Sequence, residues 1–142
     1  MKKYLTLKKK IKKNEGFRDS AYLDSLGFAT IGYGHLIDKS EKNLLFKKVP
    51  KKYLLKIFIK DFDRSLKDYE KFYRKKKHNQ NIKEMLIEMI FQLGIEKQRK
   101  FVKMNGYLEK KLLYMAALEM KKSLWYRQTP KRVDGLITFL LK

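Results

Sequence analysis

The sequence predicts an α+β fold that is mostly α-helical, with a small antiparallel β-sheet lobe and a helical lobe joined by a long helix. Three observations predict it. Apolar residues recur at helical spacing through most of the chain. Strand-type residues interleaved with glycine occupy one stretch only, Phe17 to His35. A long helical pattern follows Pro50 and runs unbroken to a lysine cluster after Arg74. The whole is read as one domain, 1–142. A first lobe covers about 14–60 and a connecting helix about 51–73. A helical lobe covers about 75–142 and is joined by an N-terminal helix, 1–13.

The elements follow in order. Tyr4, Leu5, Leu7 and Ile11 share one face of the first helix, and Gly16 suits its stop. Glu15 therefore stands at a helix end, where a side chain can project. Phe17, Tyr22, Phe28, Ile31 and Tyr33 mark strands, and Asp24-Ser25-Leu26-Gly27 is a turn signal between them. A third short strand is expected near Leu36-Ile37. Lys39 to Lys48 is polar and holds a short helix or loop. Pro50 is favourable in a first helical turn. Leu54, Ile57, Phe58, Asp61, Phe62, Ser65, Leu66, Tyr69, Phe72 and Tyr73 trace the inner side of the long helix, which reaches ~30 Å at 1.5 Å per residue. Arg74 to Gln80 reads as a charged linker.

Ile82, Met85, Leu86, Met89, Ile90 and Leu93 outline the core helix of the second lobe, ended by Gly94. Phe101 to Met120 reads as two short helices broken near Lys110-Lys111, and Trp125-Tyr126 as part of another. Thr129-Pro130 is a capping pair for the last helix, with Val133, Leu136, Ile137 and Leu140 inward.

Composition bounds the function. Apolar residues make up 44% of the 142, enough for a core despite 36% charged residues. No cysteine is present, which excludes disulfides and thiolate chemistry. The net charge of +21 seeks a polyanion: nucleic acid, an anionic membrane surface or an anionic wall polymer. The basic N-terminus lacks the apolar run of a signal peptide, and no stretch has the ~18 apolar residues of a membrane span. The chain is thus expected to be made in the cytosol. Two histidines without His-x-x-x-His spacing argue against zinc, and no cofactor is expected.

The chemistry concentrates in one region. Glu15 ends a helix and Asp24 begins a turn, followed by Thr30 and His35. Two carboxylates on separate rigid elements facing one cleft are the minimum equipment for cutting a glycosidic bond. Each residue also has a plainer use. Asp24 suits its turn, Thr30 is an ordinary strand residue, and Glu15 sits on a basic helix.

These residues resemble the phage-type lysozymes, the family of the T-even bacteriophage enzyme. The first matching block is Asn14-Glu15-Gly16, Tyr22-Leu23-Asp24 and Thr30-Ile31-Gly32-Tyr33-Gly34-His35-Leu36. The second is Phe91-Gln92-Leu93-Gly94. The third is Ser123 to Arg132, with Trp125-Tyr126 and Gln128-Thr129-Pro130. The blocks stand in family order across most of the chain. Departures are a shorter segment around residues 40–50, an early stop after the last helix, and Asn14 in place of an acidic residue.

The resemblance implies a lysozyme-like two-lobed fold and hydrolysis of the β-1,4 bond between N-acetylmuramic acid and N-acetylglucosamine in peptidoglycan. It implies a monomeric endolysin used in host lysis, released to the wall by another protein, with no specific nucleic-acid partner. Attraction to anionic wall polymers or membrane would come from the charge. Glu15 would be the general acid and Asp24 the base that activates water, with inversion, and Thr30 would help hold that water. His35 would form a structural ion pair with Asp61. Arg132 matches the arginine that pairs with the acid. Leu36, Phe91, Met104 and Glu119 fall at saccharide-contact positions, although core packing suits Phe91 nearly as well. Trp125 and Tyr126 read as core, and His78 as a solvated linker residue. The competing reading is a basic helical protein that binds nucleic acid or anionic membrane without catalysis.

Overall fold

The computed structural model describes residues 4–142. The chain forms two compact units, Met1–Arg64 and Ser65–Lys142. The first contains α1 (Leu5–Glu15), then β1 (Arg18–Leu23), β2 (Ala29–Gly32) and β3 (His35–Leu36). A 3₁₀ segment (Lys39–Leu45) and the start of α2 (Lys51–Tyr73) complete it. The second unit contains the end of α2, then α3 (Gln80–Leu93), α4 (Ile95–Arg99), α5 (Val102–Glu109), α6 (Leu113–Lys122), α7 (Leu124–Gln128) and α8 (Pro130–Leu140). The mostly helical α+β architecture with its small sheet is as the sequence predicts.

The N-terminal helix, expected over 1–13, runs Leu5–Glu15, and residues 1–3 lie outside the described residues. It belongs to the first unit. The reason is aromatic packing against α2. Tyr4 meets Phe62 with ring centroids 5.9 Å apart, and Lys12 lies over Phe58 at 5.2 Å. Tyr4, Leu7 and Ile11 are buried; Leu5, expected beside them, is exposed.

The sheet is antiparallel in the order β1-β2-β3. Tyr22 pairs with Thr30 and Arg18 with Gly32, so β1 advances four positions where β2 advances two. This bulge bends β1 and re-aims its side chains. Ile31 on β2 packs with Leu44, Val49, Leu54 and Ile57 in the core of this unit. Each such side chain contributes roughly 1.5–3 kcal/mol on full burial. The 3₁₀ segment begins with a capping box: the Asp38 carboxylate accepts from Ser40 N, and the Glu41 carboxylate accepts from Asp38 N.

On α2, Leu54, Ile57, Phe58, Asp61, Phe62, Ser65, Tyr69 and Tyr73 are buried as its spacing predicts. In the second unit α3 carries the densest core, with Ile82, Met85, Leu86, Ile87 and Met89 fully enclosed. Asn79 starts α3, its side chain accepting from Ile82 N at 2.8 Å. The break between α5 and α6 falls at Lys110 to Leu112, where Lys111 has φ of 60°.

Three local expectations are corrected. α4, a five-residue helix after Gly94, was not anticipated; so short a segment carries no periodic signal. Thr129 precedes Pro130 at the start of α8, but its hydroxyl does not cap that helix. It donates instead to the Trp125 carbonyl at 3.1 Å, closing α7. His78 is not a solvated linker residue. It packs against the rings of Tyr69 and Tyr73 and is hydrogen-bonded through Nδ1 to the Tyr69 hydroxyl at 2.7 Å. Burial, above all, and the nearby Lys76 charge lower its pKa against the pull of Glu109.

Candidate active site

Glu15 is the last residue of α1. The Gly16 N–H closes the helix on Lys12 O at 3.0 Å, and a positive φ of 73° then turns the chain away. The Glu15 side chain, half-buried, lies against the β2–β3 hairpin. A β-carbon on Gly34 would run into its carboxylate, and Gly34 also has φ of 76°. Only glycine satisfies both demands. The neighbouring Tyr33 holds that hairpin in place, its ring 4.9 Å from Phe17 and 5.5 Å from Phe58.

Asp24 opens the β1–β2 turn. Its Oδ1 accepts from the backbone N–H groups of Leu26 and Phe28, both at 2.9 Å. The turn-forming use of Asp24 is therefore real, and it fixes the carboxylate on a rigid element. Thr30 is buried at 2% exposure. Its hydroxyl donates to the Phe28 carbonyl at 2.8 Å. One residue, Phe28, thus anchors Asp24 through its N–H and Thr30 through its carbonyl.

Tyr22 stands among these groups, and the sequence reading gave it no role. It is the cross-strand partner of Thr30. Burial raises its phenol pKa first, and the negative charges of Glu15 and Asp24 raise it further, while Arg18 opposes them. The Arg18 guanidinium lies 4.6 Å from the ring centre. With its pKa raised, this phenol stays protonated and remains a hydrogen-bond donor. Leu36 on β3 pairs with Thr30 from the other side and is 55% exposed, open to a ligand.

His35 lies between two carboxylates. Nδ1 meets Asp61 Oδ2 at 2.7 Å, the expected partner, and Nε2 meets Glu41 Oε1 at 2.9 Å, which was not expected. Asp61 Oδ1 in turn accepts from Arg64 at 3.0 Å. Burial alone would lower the histidine pKa, but hydrogen bonds and charge from Asp61 and Glu41 outweigh it and raise the value to about 9. The imidazole is therefore cationic at neutral pH, with both nitrogens engaged. Glu41 was legible as the second half of an Asp-x-x-Glu capping box after His35.

The remaining positions lie in the second unit. Phe91 is half-buried on α3. Its neighbour Gln92 accepts from the Trp125 indole N–H at 2.9 Å and donates to Thr129 Oγ1 at 3.3 Å. The second and third sequence blocks are thus joined through one amide. Trp125 is buried, with Phe101 edge-on at 5.8 Å. Met104 is 1% exposed, so it is a core residue and its side chain is not open to a saccharide. Glu119 is half-buried and pairs with Lys122 at 3.1 Å. Arg132 is held by Glu88 through Nε at 3.3 Å and a terminal nitrogen at 3.2 Å, with the Glu88 side chain fully buried. Sequence reasoning assigned Glu88 no function, because it sits among the apolar positions of α3.

Comparison with known proteins identifies the family. The Phage lysozyme family profile matches residues 12–138. A probable T4-type lysozyme 2 of Dictyostelium discoideum is 31% identical over 94% of this chain and 92% of its own length. A probable T4-type lysozyme 1 from the same organism is 30% identical over 95% and 93% respectively. The family profile covers both the Glu15-to-Leu36 constellation and the Gln92–Trp125–Thr129 network, and on these matches the chain belongs to the phage lysozyme family and is a glycoside hydrolase of the lysozyme type.

Proposed function

We propose that this lysozyme hydrolyses the β-1,4 bond between N-acetylmuramic acid and N-acetylglucosamine in peptidoglycan, with inversion at the anomeric carbon. The observation that supports the reading is that Glu15 ends α1 against Gly34 of the β2–β3 hairpin while Asp24 is held by two backbone N–H groups in the β1–β2 turn, two carboxylates on separate rigid elements. Glu15 donates its proton to the leaving glycosidic oxygen. Asp24 takes a proton from the water that attacks the opposite face of the sugar. This division of labour needs carboxyl groups roughly 6.5–9.5 Å apart. The Thr30 hydroxyl hydrogen is engaged in the bond it donates to the Phe28 carbonyl. It therefore offers lone pairs to the water and orients it together with Asp24. Leu36, Phe91 and Glu119 are retained in the proposal as saccharide contacts, and Met104 is dropped because it is buried.

The binding-only reading falls with family membership, since a polyanion binder has no use for this paired carboxylate geometry. The two relatives come from Dictyostelium discoideum, so membership alone does not assign the chain to host lysis; wall breakdown during phage release belongs to the proposal. The test is Glu15→Gln, which keeps the side chain's size and its place against Gly34. The variant is expected to melt as the parent does and to lose clearing of a peptidoglycan suspension by more than about a thousandfold. Parent-like clearing would overturn the assignment. Product analysis of the parent should show new reducing ends at muramic acid, released in the inverted configuration.

A further inference from the structure

Helix α6 is apolar on two opposite sides. At about 100° per residue, Ala116, Ala117 and Met120 form one face, and they are buried. Tyr114, Met115 and Leu118 form the other, and they are 77%, 45% and 59% exposed. Leu112, in the turn before the helix, is 42% exposed as well. A helix apolar on both sides is ordinarily enclosed in a core. Here nothing among the described residues covers the outer side, and the proposed chemistry of Glu15, Asp24 and Thr30 does not use it.

Charge identifies what covers it. Lys110 and Lys111 precede the strip, and Lys121 and Lys122 follow it, all four exposed. The surface ion pairs of Lys121 with Asp134 and Lys122 with Glu119 contribute at most about 1 kcal/mol each and exchange readily. A second copy is a poor occupant, because each chain carries a net charge of +21. Nucleic acid is a poor one too. It would favour aromatic stacking and arginine, whereas the strip is mainly aliphatic with one tyrosine. Aliphatic side chains framed by lysines, with a tyrosine between, match an anionic lipid surface, where acyl boundary and headgroup lie a few ångströms apart. No helix among the described residues is long and apolar enough to cross a membrane, so the contact is an interfacial one.

The geometry points to the outer face of α6 as a docking surface for an anionic lipid bilayer, with Tyr114, Met115 and Leu118 seated at the acyl boundary and the flanking lysines on the headgroups. This surface would hold the enzyme at a membrane beside its polymer substrate. It is independent of the glycosidase reading, because lipid vesicles contain no peptidoglycan.

The experiment is co-sedimentation with vesicles of phosphatidylglycerol mixed with phosphatidylcholine, against phosphatidylcholine alone. The parent is expected to bind the anionic vesicles only, and less with added salt. Met115→Ser/Leu118→Ser should lower that binding by at least about tenfold while reducing-end release from peptidoglycan is unchanged. Lys110→Gln/Lys111→Asn, in which asparagine tolerates the positive φ of residue 111, should weaken it independently. Tyr114→Trp should shift its emission to the blue on anionic vesicles, above the constant signal of buried Trp125. Equal binding by the serine variant, equal binding to neutral vesicles, or no blue shift in the Tyr114→Trp variant would each overturn the proposal. So would a dimer, or binding of a DNA duplex, that the serine variant abolishes.

Discussion

The carboxylate of Glu15 lies where a β-carbon on Gly34 would have to be. A helix end and a hairpin tip are thereby fitted to one another with no space between them. The Tyr33 ring, seated between Phe17 and Phe58, keeps the hairpin from withdrawing. Gly34→Ala is expected to displace Glu15 and to strain the backbone. The cost should be about 1–3 kcal/mol of stability and at least roughly a hundredfold in kcat/KM, since misplacing a reacting group by an ångström costs that much. Urea unfolding and reducing-end assays on the one variant check both numbers. Full activity with alanine would show that Glu15 is not held there.

Asp24 has two uses that substitution can separate. Asparagine keeps an Oδ1 to accept from Leu26 and Phe28, so Asp24→Asn should change stability by less than about 1 kcal/mol. It cannot take a proton from water, so activity should fall by more than about a hundredfold. Asp24→Ala should lose both, with the extra destabilisation traced to the two orphaned N–H groups of the turn. A variant Asp24→Asn that stays active would remove Asp24 from the chemistry and leave it a turn residue.

The His35 ion pairs predict an alkaline loss of stability. Folding raises this histidine from 6.5 to about 9. Its contribution is fully present below pH 6.5 and is lost as pH rises through about 9. At about 1.4 kcal/mol per unit, the ceiling is roughly 3.5 kcal/mol. Unfolding of the parent and of His35→Asn, followed from pH 6 to pH 10, should show a difference that shrinks toward high pH. Activity of His35→Asn at pH 6 should stay within about tenfold of the parent, which a general acid or base in that position would not allow. A constant difference across the range would sink the ion-pair account.

Glu88 and Arg132 form a buried charge pair in the second unit. Removing one partner takes from the other an ion pair made in a medium of low dielectric. Glu88→Leu should therefore destabilise by about 3–5 kcal/mol. The double variant Glu88→Leu/Arg132→Leu should recover much of that loss, because two leucines need no partners there. Calorimetric melting of the three proteins decides it, and additive losses would contradict a direct pair.

Much of this protein is legible in one dimension because its causes are local. Helical periodicity located α1, α2, α3 and α8, and glycine marked the ends of α1 and α3. The turn at Asp24 follows from a side chain reaching N–H groups two and four residues ahead. The candidate site residues Glu15, Asp24 and Thr30 stand within sixteen positions of each other, so a contiguous motif carries them. The His35–Asp61 pair spans 26 positions, and only the family pattern pointed to it.

What tertiary structure alone decided is where long side chains end. Arg132 reaches Glu88 across 44 positions of sequence, and Gln92 reaches Trp125 across 33. His78 leaves its lysine-rich surroundings to pack on two tyrosines. Met104 turns inward although its position in the family pattern suggested substrate, while the apolar side chains of Tyr114, Met115 and Leu118 turn outward. In each case burial and partner depend on which elements meet. That meeting is settled by the packing of the whole chain, since the local pattern specifies that a side chain is buried or polar without specifying against what.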